Sequence, residues 1–219
     1  TCVVSDKDRS RGAYIGKQAT IPEMWFEVAN YPDRLSKKYP NRGLEIKIGQ
    51  DANPAEVIYE ILVNNYWGCD YNDEEDVIDE ESLIKLGLAC QKEKLGISCL
   101  INSVSKAGDY INNIMVHISG VKYDDPKTGK LTFKLIRNDY DVNEIKVFDP
   151  SNCVNMEFSR LDWSETTSSI SLTFTDAENK YDEGTLSVND LANTLITKRN
   201  KESTVDGSYF TTVENARYM

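Results

Sequence analysis

One histidine, His117, is present in the chain, and this limits the chemistry available to it. A Ser-His-Asp triad needs a histidine as its base, and a zinc site built from several imidazoles needs more than one. Helical spacing places His117 beside the apolar stripe of a predicted helix, not within it. We therefore predict a solvent-facing or rim position for His117 and no catalytic role.

An acidic stretch, residues 70–81, offers the best set of hard oxygen ligands. Five residues fall at positions 1, 3, 5, 7 and 12 of the calcium-loop pattern: Asp70, Asn72, Glu74, Asp76 and Glu81. That spacing suits Ca²⁺, but Glu75 stands where the pattern has a glycine for its sharp turn. A solvated acidic loop ahead of a helix is the other interpretation. The sequence thus assigns no metal, cofactor-binding or catalytic residue.

Two further kinds of site depend on aromatic and acidic side chains. Trp25, Trp67 and Trp163, with the 12 tyrosines, could form a platform for sugars, although aromatics also pack cores and subunit contacts. A pair of carboxylates could serve a hydrolase, but no pattern places two of them in one cleft. No glycine-rich phosphate loop is present.

The charge balance argues against nucleic acid as a specific ligand. The 219 residues include 36 acidic and 25 basic ones, for a net charge of -11, whereas phosphate binding needs a basic face. With 40% hydrophobic and 28% charged residues, the chain has the composition of a globular protein. Its length suits one large domain or two small ones, and no apolar run is long enough for a membrane span.

The cysteines predict a reducing environment and no metal or redox site. They are odd in number and lack C-x-x-C spacing: Cys2, Cys69, Cys90, Cys99 and Cys153. Cys90 and Cys99 lie among apolar neighbours and are predicted to be buried thiols. Folding in a cytoplasm fits this pattern.

Three helices are predicted in the first half of the chain. In the first, Asn53 is an N-cap, Pro54 suits the first helical position, and Glu56 stands at the third position of a capping box. Gly68 is predicted to end this segment in a left-handed conformation. The second helix should start at residue 79 or 80 and stop at Gly96. The third should follow residue 105, carry an apolar stripe and end at residue 120.

Strands are predicted mainly in the second half. Alternation of apolar and polar residues indicates the following strands: 20–28, 44–48, 97–104, 131–136, 155–163 and 170–175, the last paired with 184–188 in a hairpin. Residues 189–197 are predicted to form a helical turn, and a last helix should begin at residue 211. Helices first and strands later predict an α+β fold, with helices packed on mixed or antiparallel sheets.

We predict three regions in the chain. Residues 1–43 form an N-terminal arm and strand that could complete a neighbouring domain. Residues 44–141 form an α/β domain, and residues 142–219 form a β-rich one. We expect the chain to be a segment of something longer.

The order of the motifs resembles one known family. The motifs are ANPAEVIYEILVNNYWG, DVIDEESLIKLGLACQKEKLGIS, AGDYINNIMVHISG, GKLTFKLIR and NCVNMEFSRLDWSETTSSISLTFTDAENKY. This series resembles the central region of the tail-tip hub proteins of long-tailed bacteriophages, which include the lambda-like host-specificity (central fibre) proteins and the related tail proteins of gene transfer agents. The resemblance spans roughly residues 44–190 and is weaker on either side.

This resemblance implies baseplate-hub-like domains and a structural, non-enzymatic role without cofactors. Three copies would form a ring that closes the tail tube, bound to the distal tail protein, the tube protein, the tape-measure protein and the central fibre. The location would be the virion tail tip, after assembly in the host cytoplasm. An acidic chain suits a lumen that DNA passes through. The fibronectin-like and fibre modules of the lambda-like members do not appear, so contact with the host surface through them stays open. The alternatives are a receptor- or glycan-binding module and a cell-wall hydrolase.

Overall fold

The structure is a computed structural model, and it describes residues 28–71, 77–101, 106–155, 157–160, 162 and 165–218. The helices are α1 Arg34–Lys38, α2 Pro54–Val63, α3 Glu80–Glu93, α4 Ala107–His117, α5 Leu191–Thr197 and α6 Val213–Tyr218. The strands are β1 Lys47–Ile48, β2 Asp51–Ala52, β3 Gly120–Asp124, β4 Leu131–Leu135, β5 Ser169–Asp176, β6 Asp182–Asn189 and β7 Glu202–Gly207. A 3₁₀ turn, Pro40–Arg42, follows α1.

Helix α2 lies at the centre of the larger core. Helices α1, α3 and α4 pack against it, so it is buried on more than its one apolar face. Helix α3 can approach α2 closely because it carries a glycine, Gly87, where the two helices cross. A Cβ atom on Gly87 would lie 2.9 Å from the Cβ of Ala55, too near for the helices to keep their spacing.

The N-terminus of α2 is a buried hydrogen-bonded node. The Asn53 side chain accepts a bond from the backbone N–H of Ala55 at 3.1 Å, as an N-cap should. Its amide nitrogen donates to the carbonyl of Glu45 at 2.9 Å and to that of Gly87 at 3.4 Å. Asn53 therefore joins α2 to the preceding segment and to α3, and its side chain is fully buried.

Replacing Asn53 with Asp should destabilise the fold, although the two residues are about equally good N-caps. Asp keeps the acceptor but removes both donated bonds and buries a charge, which we expect to cost about 2–4 kcal/mol of unfolding free energy. Chemical denaturation would measure this. Asp190→Asn is the matched control, because Asp190 caps the exposed helix α5 through one accepted bond. Equal effects of the two substitutions would contradict the assignment.

Two predictions about the ends of α2 are corrected. Glu56 does not close a capping box on Asn53, whose backbone N–H bonds to the carbonyl of Ile46 instead. Glu56 turns to α1 and accepts from the N–H groups of Leu35 at 3.0 Å and Ser36 at 2.7 Å. At the other end, Gly68 does not adopt a left-handed conformation. A glycine is needed there because a Cβ atom would lie 2.4 Å from the carbonyl oxygen of Ile61.

Besides the short antiparallel pair of β1 and β2, the described residues form two larger sheets. Strands β3 and β4 form an antiparallel pair whose β4 edge is covered by residues 77–79 and by the Ser82 hydroxyl, which accepts from Phe133 N. The other sheet has the order β6-β5-β7, with β5 antiparallel to β6 and parallel to β7. It covers a second, smaller core made by Leu172, Phe174, Phe210 and Ala216. The α+β prediction is confirmed.

The predicted elements are confirmed where periodicity was strong. Helices α2, α3 and α4, strand β4, the β5–β6 hairpin, helix α5 and a final helix form as expected. Residues 44–48 do not: only Lys47–Ile48 is a strand. In the described part of 97–104 there is a single bridge, Ala52 to Ile97. The described part of 155–163 contains no strand, and Phe158 there is 81% exposed. Of the predicted strand 20–28, only the last residue lies within the described residues.

Candidate functional site

His117 is buried, and the prediction of a solvent-facing position is wrong. Its side chain is only 4% exposed because the turn after β7 lies over it. The His117 and Tyr209 rings are stacked, with centroids 4.5 Å apart and planes 18° from parallel. The Phe210 ring meets His117 in a tilted arrangement at 5.3 Å. The sole histidine therefore joins helix α4 to the smaller core, to which Phe210 belongs.

The hydrogen bonds of His117 fit the neutral imidazole with its proton on Nδ1. Nδ1 lies 2.7 Å from the carbonyl oxygen of Asn113, and Nε2 accepts from the backbone N–H of Tyr209 at 3.3 Å. An imidazolium has N–H donors on both nitrogens, so its Nε2–H would face the N–H of Tyr209, donor against donor. Burial lowers the pKa of His117, while the Asn113 carbonyl and the charge of Asp206 act in the opposite direction.

Two further bonds hold the same turn. The Thr211 hydroxyl lies 2.7 Å from both carboxylate oxygens of the buried Asp51 on β2. Burial raises the pKa of Asp51, and the Thr211 bond partly offsets this. The N–H of Ser98 donates to the carbonyl of Tyr209 at 2.8 Å. We call these contacts of residues 209–211 the clasp, since they fasten the smaller core to the helical one.

The acidic stretch 70–81 is only partly within the described residues. Asn72, Glu74 and Asp76 lie outside them, so calcium binding stays a prediction. Glu81 forms an ion pair with Arg42. Asp79 caps α3 by accepting from Ser82 N at 3.3 Å. Among the residues that the structure describes, no group of three or more His, Cys, Asp or Glu side chains is placed to hold a metal ion.

The prediction of buried thiols is confirmed for Cys90, whereas Cys99 is only partly buried. Burial raises the pKa of Cys90 to about 12 and that of Cys99 to about 11, so neither is a thiolate near neutral pH. Cys90 is fully buried and Cys99 half-buried. Cys69 and Cys153 are free and half-buried, and Cys2 lies outside the described residues.

The turn after α2 presents two aromatic side chains to solvent. Tyr66 is 89% exposed and Trp67 52%. The Asn64 side chain fixes the turn by accepting from their backbone N–H groups at 2.8 and 3.2 Å. Trp25 and Trp163 lie outside the described residues, so an aromatic platform that includes them stays a prediction.

A long apolar segment lies on the surface between β4 and β5. We call residues 139–155 the arm. They contain no helix or strand, and six large apolar side chains in them are exposed: Tyr140, Val142, Ile145, Val147, Phe148 and Val154. The hydrogen bonds of the arm include the local ones of the Asx turns at Asp141 and Asp149. Such a surface is typical of a contact with another protein.

A second exposed apolar surface lies at one end of the three-stranded sheet. We call it the α5 patch: Ile170, Val188, Leu191, Leu195 and Ile196. Ile170 and Val188 are cross-strand partners, and none of the residues of α5 is buried. A helix with three exposed large apolar side chains gains little stability from packing on its own chain. It is more typical of a helix that packs on a partner.

Comparison with known families decides the class of protein. Residues 106–219, just over half of the chain, match the family described as "Putative phage tail protein". The chain belongs to this phage tail protein family. The matched region contains α4, both larger sheets, the arm, the α5 patch and the turn of the clasp. No curated protein matches the chain.

Family membership makes this phage tail protein a structural, virion-associated component that works among other tail proteins. The match begins at Lys106, so the Asn-Pro-Ala start of α2 lies outside it, and it includes residues 191–219, where the motif resemblance was weaker. Within the described residues, no helix is both long and apolar enough to cross a membrane. The clasp and the arm were not predicted from the sequence, since their residues show no recognisable motif.

Proposed function

We propose that this phage tail protein is a hub subunit of the tail tip. In this proposal three copies close a ring at the end of the tail tube, bound to the distal tail protein and tube protein above and to the central fibre below. The ring surrounds the tape-measure protein and lets DNA pass. Assembly takes place in the cytoplasm of the bacterial host.

The observation that carries this proposal is the exposed apolar surface on a tail protein. The arm and the α5 patch together leave eleven large apolar side chains open to solvent, and burying them on association would stabilise a complex. The order of the sequence motifs, which resembles that of tail-tip hub proteins, supports a position at the tail tip. The net charge of -11 supports a lumen through which DNA passes without binding to the wall.

Gold labelling of purified tails tests the position. An affinity tag on the protein, placed in the β3–β4 turn at the exposed Lys127, should direct gold to the end of the tail tube. The turn is the site of choice because Lys127 is exposed and its backbone N–H donates to the neighbouring Asp125 within the turn itself. Labels spread along the tube, or absent from intact tails, would contradict the hub position.

A second candidate function, receptor or glycan binding, is favoured by Tyr66 and Trp67. In that case Trp67→Ala should lower adsorption of particles to host cells by tenfold or more while particle yield stays normal. In the hub proposal adsorption per particle is unchanged. A cell-wall hydrolase is the third candidate. It predicts release of dye-labelled fragments from peptidoglycan by the purified protein, and we expect no release.

A further inference from the structure

The arm and the α5 patch differ in charge as well as sharing apolar character. The arm contains four acidic residues, Asp139, Asp141, Glu144 and Asp149, against a single basic one, Lys146. Beside the α5 patch, three exposed basic residues, Lys198, Arg199 and Lys201, outnumber two exposed acidic ones, Asp190 and Glu202. The two apolar surfaces therefore have net charges of opposite sign and are complementary, whereas two copies of the acidic arm would repel each other.

The two surfaces lie at different places in the fold. The arm begins just beyond β4, which packs on helix α3. The α5 patch consists of helix α5 with residues from the start of β5 and the end of β6. The side chains of both surfaces are exposed within one copy, so the arm does not cover the patch of its own chain. Contact between them must therefore join different copies.

We propose that the arm of one copy binds the α5 patch of the next, so that the copies associate head to tail. This inference rests on the hub proposal for its biological setting, but the contact itself is a property of the chain. In this proposal Phe148 of the arm, 69% exposed, and Leu195 of the α5 patch, 79% exposed, lie at the centre of the contact. Lys198 and Arg199 pair with acidic residues of the arm at its rim. A head-to-tail contact uses two different surfaces, and it gives a closed ring if the rotation between copies closes.

The test uses two single variants of the protein, Phe148→Asp in the arm and Leu195→Asp in the α5 patch. Each should weaken self-association at least tenfold in native mass spectrometry and sedimentation, because a charge is buried in an apolar contact. An equimolar mixture of the two should form 1:1 dimers that grow no further, since one intact arm and one intact patch remain. Val116→Asp on the exposed side of α4 is the matched control and should assemble like the unmodified protein.

Charge reversal gives a second measurement that does not depend on a buried aspartate. Lys198→Glu should weaken association, and Glu144→Lys in the same chain should restore part of it. Circular dichroism confirms folding of each variant.

The inference and the hub proposal fail separately. Rings that persist in both single variants would overturn the arm–patch contact and leave the hub position intact. A mixture of variants that stays monomeric would do the same. Binding of the arm only to a different tail protein would also overturn the proposal that the arm binds a second copy of this chain. Gold at the tail end with a monomeric protein in solution would also overturn the inference, whereas gold elsewhere overturns the hub position.

Discussion

Glu56→Ala should lower the free energy of unfolding by about 2–5 kcal/mol, because it leaves two backbone N–H groups without an acceptor. Glu56 is fully buried, and its two oxygens accept from Leu35 N and Ser36 N at the start of α1. Leu35 is itself fully buried in the helical core. Loss of Glu56 should therefore release α1 as well as destabilise α2. Urea denaturation followed by circular dichroism measures the effect.

Two comparisons isolate the role of Glu56. Glu56→Gln keeps one acceptor oxygen and should cost less than Glu56→Ala. Glu45→Ala is the control, since the Glu45 side chain is exposed, and should change stability by less than about 0.5 kcal/mol. Hydrogen exchange at Leu35 and Ser36 should accelerate only in the Glu56 variants. Unchanged exchange there would show that Glu56 does not cap α1.

Acidification below about pH 6.5 should loosen the clasp through His117. Burial lowers the pKa of His117 in the folded protein, so the unfolded chain binds more protons between its own pKa and the folded one. Stability therefore falls as pH decreases through that interval, by up to about 1.4 kcal/mol per pH unit. Above pH 7.5 His117 should contribute no slope.

His117→Phe is the variant that separates titration from packing. Phenylalanine retains the stacking on Tyr209 but cannot be protonated, and it leaves the Tyr209 N–H without its acceptor. We expect it to cost about 1–3 kcal/mol at pH 8, with the cost shrinking as pH falls. Denaturation of both proteins from pH 8 to 5 gives the difference. A constant difference across this range would mean that the pKa of His117 is the same in the folded protein as in the unfolded chain.

The buried carboxylates give the free energy of unfolding a pH dependence of the opposite sign, which must be separated from that of His117. Burial raises the pKa values of Asp51 and Glu56 above their ordinary range. Their folded-state preference for the proton means that stability is lost as pH rises through the interval above 4. Both groups are present in the unmodified protein and in His117→Phe, so the comparison of the two cancels their contribution.

Helical periodicity explains why α2, α3 and α4 were predicted well from the sequence. Apolar residues repeat at helical spacing in each, and Asn53 and Asp79 mark two of the starts. Strand β5 was predicted from its alternation for the same reason. These signals are local, and the larger core preserves them because it buries the same faces that the sequence makes apolar.

The remaining features depend on partners far away in the sequence. His117 lies beside the apolar stripe of α4, where the helix alone would leave it partly exposed. It is buried because Tyr209, 92 residues away in the sequence, packs on it. Glu56 has the position of a capping-box residue but accepts from α1 instead. The 3₁₀ turn, β1 and β2 lie between α1 and α2 in the sequence. Strands β3 and β7 were missed because most of their side chains are exposed and so show little alternation.

Negative-stain electron microscopy of the protein purified under native conditions from producing cells tests the central claim most directly. The account predicts threefold rings, alone or capping the end of a tube, with other tail proteins in the same fraction. Isolated monomers without a tube or partner subunits would contradict it.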